Sequence, residues 1–75
     1  MENEKMQRYY ALHRAKVALK TAYNCVDHAV DTLGEYFGEE DKEVREILYY
    51  LSEMMLNLVV LGKKLSMLQE AEENG

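Results

Sequence analysis

The sequence predicts an all-α protein: an antiparallel two-helix hairpin that dimerises into a four-helix bundle. Three observations carry this. Two long stretches repeat apolar residues every seven positions, and a short glycine- and acid-rich segment separates them. The 75 residues hold no proline, and 48% belong to the apolar set, which is too apolar for a disordered chain. A single helical domain of this size buries only about 60% of the surface its unfolded chain exposes, so one copy alone makes a marginal core.

The first helix is expected over about residues 4–35. Leu12, Leu19, Val26 and Leu33 recur every seven residues, with Ala15, Ala22, Ala29 and Tyr36 beside them. Together they form a stripe down one face, which Tyr9, Tyr23, Val30 and Phe37 widen. Cys25 is expected at the edge of that core as a small hydrophobe.

Residues 34–41 read Gly-Glu-Tyr-Phe-Gly-Glu-Glu-Asp. Gly34 or Gly38 is expected to adopt the left-handed conformation that ends a helix. Asp41 is expected to cap the next helix, with Glu43 favourable in its first turn. A connection this short makes its two helices antiparallel neighbours.

The second helix is expected over about residues 41–71. Val44, Leu51, Leu58 and Leu65 fill one heptad position, and Ile47, Met54, Leu61 and Leu68 fill the other. Leu48, Met55 and Val59 broaden this stripe. The polar ends, residues 1–4 and 70–75, are expected to fray.

The second helix holds more apolar surface than a hairpin seam can cover. Tyr49, Leu56, Val60 and Met67 are spaced 7, 4 and 7 apart and fall within about 40° of one another, roughly opposite the main stripe. Met6, Tyr10 and Val17 form a shorter ribbon of the same kind on the first helix. The broad stripe is expected to bind a second copy, and the narrow ribbon a partner protein.

Charge divides along the chain. Residues 5–26 carry Lys5, Arg8, Arg14, Lys16 and Lys20 and no acid, whereas residues 27–75 carry twelve acids against four bases. In a hairpin the acids Asp27, Asp31, Glu35, Glu39, Glu40, Asp41, Glu43 and Glu46 gather at the loop end. Bases at the start of a helix and acids at its end both oppose the helix dipole, and the first helix has both. An antiparallel second copy, or a partner, would supply the countercharge.

The composition excludes several classes. One cysteine forms no intrachain disulfide, so a stapled secreted scaffold is out. No segment resembles a signal peptide. The longest apolar stretch, residues 47–61, contains Ser52, Glu53 and Asn57, which argues against a membrane span and for a cytoplasmic protein. There is no glycine-rich phosphate loop, nucleophile elbow or pocketed carboxylate pair, so no catalytic residue and no cofactor is expected. Asn24, His28, Asp31 and Glu35 share one helix face, but no Glu-x-x-His motif opposes them, so no metal site is expected. Cys25-x-x-His28 is half of a zinc site with no second pair.

Two short likenesses are too thin to assign a function. Arg8 and His13 have the spacing that HEPN-type ribonucleases use, a likeness of two residues in a chain short for that fold. Leu51-Ser-Glu-Met is similar to the start of the conserved box of small two-helix sporulation phosphatases, but Met54, Met55 and Leu56 stand where the active acid belongs.

In size and architecture the hairpin resembles the plasmid copy-control RNA-binding proteins, which are dimeric helical hairpins. That resemblance implies RNA binding by the basic face of the first helix, here Arg8, Tyr10, Arg14 and Lys20. The formal charge of −5 opposes phosphate binding. The preferred reading is therefore a small acidic homodimer that binds a partner protein as an inhibitor or adaptor, of the sort a phage or other mobile element encodes. The partner would meet Tyr49, Leu56, Val60 and Met67 together with Glu39, Glu40, Asp41 and Glu43. RNA binding is the alternative.

Overall fold

The computed structural model describes the chain apart from Met1, Glu39 and Gly75 and the side chains of Glu2, Asn3 and Asn74. Two helices make up the structure, α1 (Glu2–Tyr36) and α2 (Lys42–Asn74), packed side by side as a hairpin. No strand occurs among the described residues. The rod measures 57 × 15 × 13 Å. Both helices run further into the polar ends than their apolar repeats do, since backbone hydrogen bonds propagate a helix at one bond per residue once it has formed.

The turn is built differently from the glycine cap the sequence suggests. α1 continues through Gly34, and no described residue has a positive φ. The Phe37 N–H donates to the Leu33 carbonyl at 3.0 Å, which carries the helical ladder one step past Tyr36. The chain then reverses through a turn in which the Asp41 N–H donates to the Gly38 carbonyl at 3.2 Å. The first of these bonds satisfies the Leu33 carbonyl at the helix end without a left-handed residue. Asp41 does cap α2. Its Oδ1 accepts from the Val44 N–H at 3.1 Å, and its carbonyl accepts the first helical bond, from Arg45, at 3.0 Å.

The seam of the hairpin uses Leu12, Leu19, Val26 and Leu33 of α1 and Val44, Leu51, Leu58 and Leu65 of α2, all buried or half-buried. On α1 the row four residues further on (Lys16, Tyr23 and Val30, with Tyr9 preceding) completes it; on α2 that row is Leu48, Met55, Gly62 and Gln69. The alanines Ala15, Ala22 and Ala29 are half-buried along one margin.

The second heptad row expected in the α2 core is not in it. Ile47, Met54, Leu61 and Leu68 are 47–54% exposed. The physical reason is directional. A seam between two helices is about 100° wide, and rotating α2 to bury Leu48 and Met55 turns the row one residue earlier outward. Phe37, beyond the end of α1, is likewise exposed. Cys25 is exposed rather than at the core edge, because it lies one row outside the alanines. Among the described residues Val44 is the only buried apolar side chain.

Polar ties close the open end. The Arg8 guanidinium pairs with Glu72 at 2.6 Å, the Tyr9 hydroxyl donates to Glu73 at 3.2 Å, and the Lys16 ammonium donates to Gln69 Oε1 at 3.1 Å. Gln69 is buried, so its amide oxygen needs that donor.

Candidate functional site

Both helices are right-handed and run in opposite directions, so the residue three beyond each seam position lies on the same side of the hairpin in both. That places Ala15, Ala22 and Ala29 of α1 beside Ile47, Met54, Leu61 and Leu68 of α2. A hollow at the open end, lined by Arg8, Ala11, Leu12, Leu68 and Glu72, shows the two helices meeting on this side. One row further out stand Ala11, Ala18, Cys25 and Thr32 on α1, and Tyr50 and Asn57 on α2. The side is small on one helix, large on the other, and free of charge through its middle.

The other side is a groove of about 420 Å³. Leu19, Tyr23, Leu58 and Val59 form its apolar floor, and His13, Lys16, Lys20 and Lys63 stand at its rim. No acid lines it. The space beside Gly62 is open, since a Cβ built there meets nothing within 4 Å.

The ribbon Tyr49, Leu56, Val60 and Met67 faces away from α1, with exposures between 49% and 69%. It extends about 27 Å along α2 at about 1.5 Å per residue. Only its first member therefore comes near the acidic loop end. Tyr49 and Tyr50 meet edge to face, with ring centroids 5.6 Å apart, which joins the start of the ribbon to the uncharged side.

At the loop end Glu40, Asp41 and Glu43 are exposed, while Glu39 lies outside the described residues. Asp41 is committed to its cap. The ion pair among the described residues is Arg8–Glu72, at the opposite end, so the described acids of the loop end keep their charge unpaired within the hairpin.

The four residues of the RNA alternative do not form one patch. Arg8 is on the uncharged side and bound to Glu72, and Lys20 is at the rim of the groove. Tyr10 and Arg14 lie on the outer face of α1, Tyr10 edge-on to Tyr9 at 6.1 Å between centroids. Among the described residues no three of His, Cys, Asp and Glu converge on one point, so the ladder of His28, Asp31 and Glu35 stays strung along its helix.

The Tyr9 pKa is raised, first by its hydrogen bond to the Glu73 carboxylate and then by that carboxylate's charge.

The sequence reading missed two features. It placed the Ile47 row in the core, and, although it set Lys63 beside the basic half of α1, it did not find the groove at Gly62 that these lysines border. The first was open to inspection, because Leu51 is flanked by two apolar rows and one seam cannot bury both. The second required the register of the hairpin.

No protein-family model, curated protein or solved structure matches this chain. No helix among the described residues is long and apolar enough to cross a membrane.

Proposed function

We propose that this chain is a binding module and not an enzyme. Two copies form a four-helix bundle in the cytoplasm, and the bundle captures a partner protein as an inhibitor or adaptor. Tyr49, Leu56, Val60 and Met67 provide the apolar contact, and the acidic loop end steers and selects the partner.

The observation that carries this reading is the surface left uncovered. The chain exposes 6362 Å². A folded monomer of 8.8 kDa exposes about 4,800 Å² by the usual scaling with mass. The excess is about 1,600 Å², roughly twice what one partner buries in an interface of standard size. Val44 as the one buried apolar side chain among the described residues says the same. An excess of this size supports association, which we divide between a second copy on one side and a partner on the other.

The test is a pair of affinity captures from the native host with the full chain. Leu56→Glu plus Val60→Glu should abolish retention of a captured protein that rebinds when purified, with the sedimenting mass of the bait unchanged. If the double variant instead dissolves the dimer, the ribbon is the self-association face and the two roles must be exchanged. RNA as the partner would show itself as salt-sensitive retention of structured RNA, lost in Arg14→Glu plus Lys20→Glu.

A further inference from the structure

We propose that the second copy lies antiparallel on the uncharged side, with α1 against α1 and α2 against α2. This rests on the dimeric reading above and adds the face and the direction.

The face follows from what burial costs on each side. Ile47, Met54 and Leu61 stand about half exposed at heptad spacing, and none of the side chains in these outer rows is charged between Ala11 and Thr32 or between Ile47 and Leu61. Covering the middle of this side removes apolar surface from water and desolvates no ion, while Arg8, Glu43, Lys64 and Glu72 stand toward its ends. The opposite side would bury Lys16, Lys20 and Lys63, none with a carboxylate in the groove. The two long rows of the uncharged side run most of a 57 Å rod, long enough to absorb a full-length contact. The excess surface of about 1,600 Å² per chain is also ample for the interface of a stable homodimer.

The direction follows from charge. Residues 27–57 carry nine acids and two bases, a net −7, and the rest of the chain is +2, which together make the chain's −5. A two-fold axis running along the rod would set one −7 half beside the other. An axis across the rod sets each −7 half beside a +2 half. The complementarity is sharpest on α1 itself. There Lys5, Arg8 and Arg14 of one copy come nearest the stretch holding Asp27, Asp31 and Glu35 in the other. Helices packed in a bundle are about 10 Å apart, comparable to the screening length at physiological salt, so the difference survives in solution. The across-the-rod axis also brings alanine rows together between the two α1 helices, where backbones can approach closely. The large side chains of the two α2 helices then interdigitate.

The test is a distance. In the full chain with Cys25→Ser and Lys42→Cys, a nitroxide on the new thiol marks the loop end. Pulsed electron resonance on the dimer should give one separation above about 40 Å, close to the length of the rod. A separation below about 25 Å would mean parallel copies; it would overturn this arrangement and leave the homodimer standing. A monomeric sedimenting mass for the unsubstituted chain at 10 µM (about one 8.8 kDa unit) would overturn both this arrangement and the dimeric reading. The face is tested separately. Leu61→Glu should abolish the dimer, whether or not the monomer stays folded, and Val59→Glu on the groove side should leave it intact. The reverse pattern would place the second copy in the groove.

Discussion

Two rows flank the leucine column of α2, and they differ in the opposite sense to their burial. Leu48, Met55, Gly62 and Gln69 face α1, although half of them bring little or no apolar surface. Ile47, Met54, Leu61 and Leu68 are all large and apolar, and they face outward. Maximising burial within one chain would have chosen the second row. The hairpin buries the first, and Gln69 of that row sits where Lys16 reaches it. The hairpin therefore uses its poorer row for itself and leaves its richer row exposed.

The contrast is broken or sharpened first by truncating one residue in each row. Leu61→Ala should cost about 2–4 kcal/mol per dimer, because each dimer loses two packed side chains, and the loss should fade on dilution below the dimer's dissociation constant. Leu48→Ala should cost about 1–2 kcal/mol, less than a fully buried leucine, and by the same amount at every concentration. Thermal unfolding over a hundredfold range of protein concentration separates the two. A concentration-independent loss at Leu61 would show that the outer row has no second copy to meet.

The next effect lies at the start of α2. The Asp41 cap fixes where the helix begins, and so which of the two rows a short connection presents to α1. Asp41→Ala should lose about 1 kcal/mol, read from the midpoint of urea unfolding. An unchanged midpoint would mean that the seam alone sets the phase of α2.

Gly62 tests the poorer row directly. A helix-interior glycine is about 0.5–1 kcal/mol less stable than alanine. A Cβ at Gly62 meets nothing within 4 Å, so Gly62→Ala should stabilise the hairpin by about that amount, independently of concentration. A loss instead would show that something must approach the groove wall closely there.

How much of this was legible in the residues follows from what each signal depends on. Heptad spacing and the polar break fix two antiparallel helices, because both are local and obey the 3.6 period. The Asp41 cap is local too. The outward ribbon was legible because Tyr49, Leu56, Val60 and Met67 lie too far around α2 for any seam to reach. The choice between Ile47 and Leu48 was not legible. They flank the same column on adjacent positions, both satisfy the period, and the contact that ties the buried row to α1, Lys16 with Gln69, joins residues 53 apart. The glycine turn failed for a related reason: a helix can hand over to a hydrogen-bonded turn with no positive φ, and the residue types at 34–38 permit either.

The smallest expected effect is at the open end, where polar ties do what the apolar row does not. Tyr9 donates to Glu73, and its pKa is raised above the ordinary value. A neutral phenol favours that bond, and a phenolate would face the carboxylate as a like charge. The bond's contribution to stability is therefore complete below about pH 10, where an unfolded tyrosine titrates, and is lost as pH rises through the folded value. Unfolding midpoints of the native chain should fall more steeply above pH 10 than those of Tyr9→Phe, which has no hydroxyl to ionise. If the two slopes coincide, the open end is held by the Arg8–Glu72 and Lys16–Gln69 pairs alone, and Tyr9 serves the seam only through its ring.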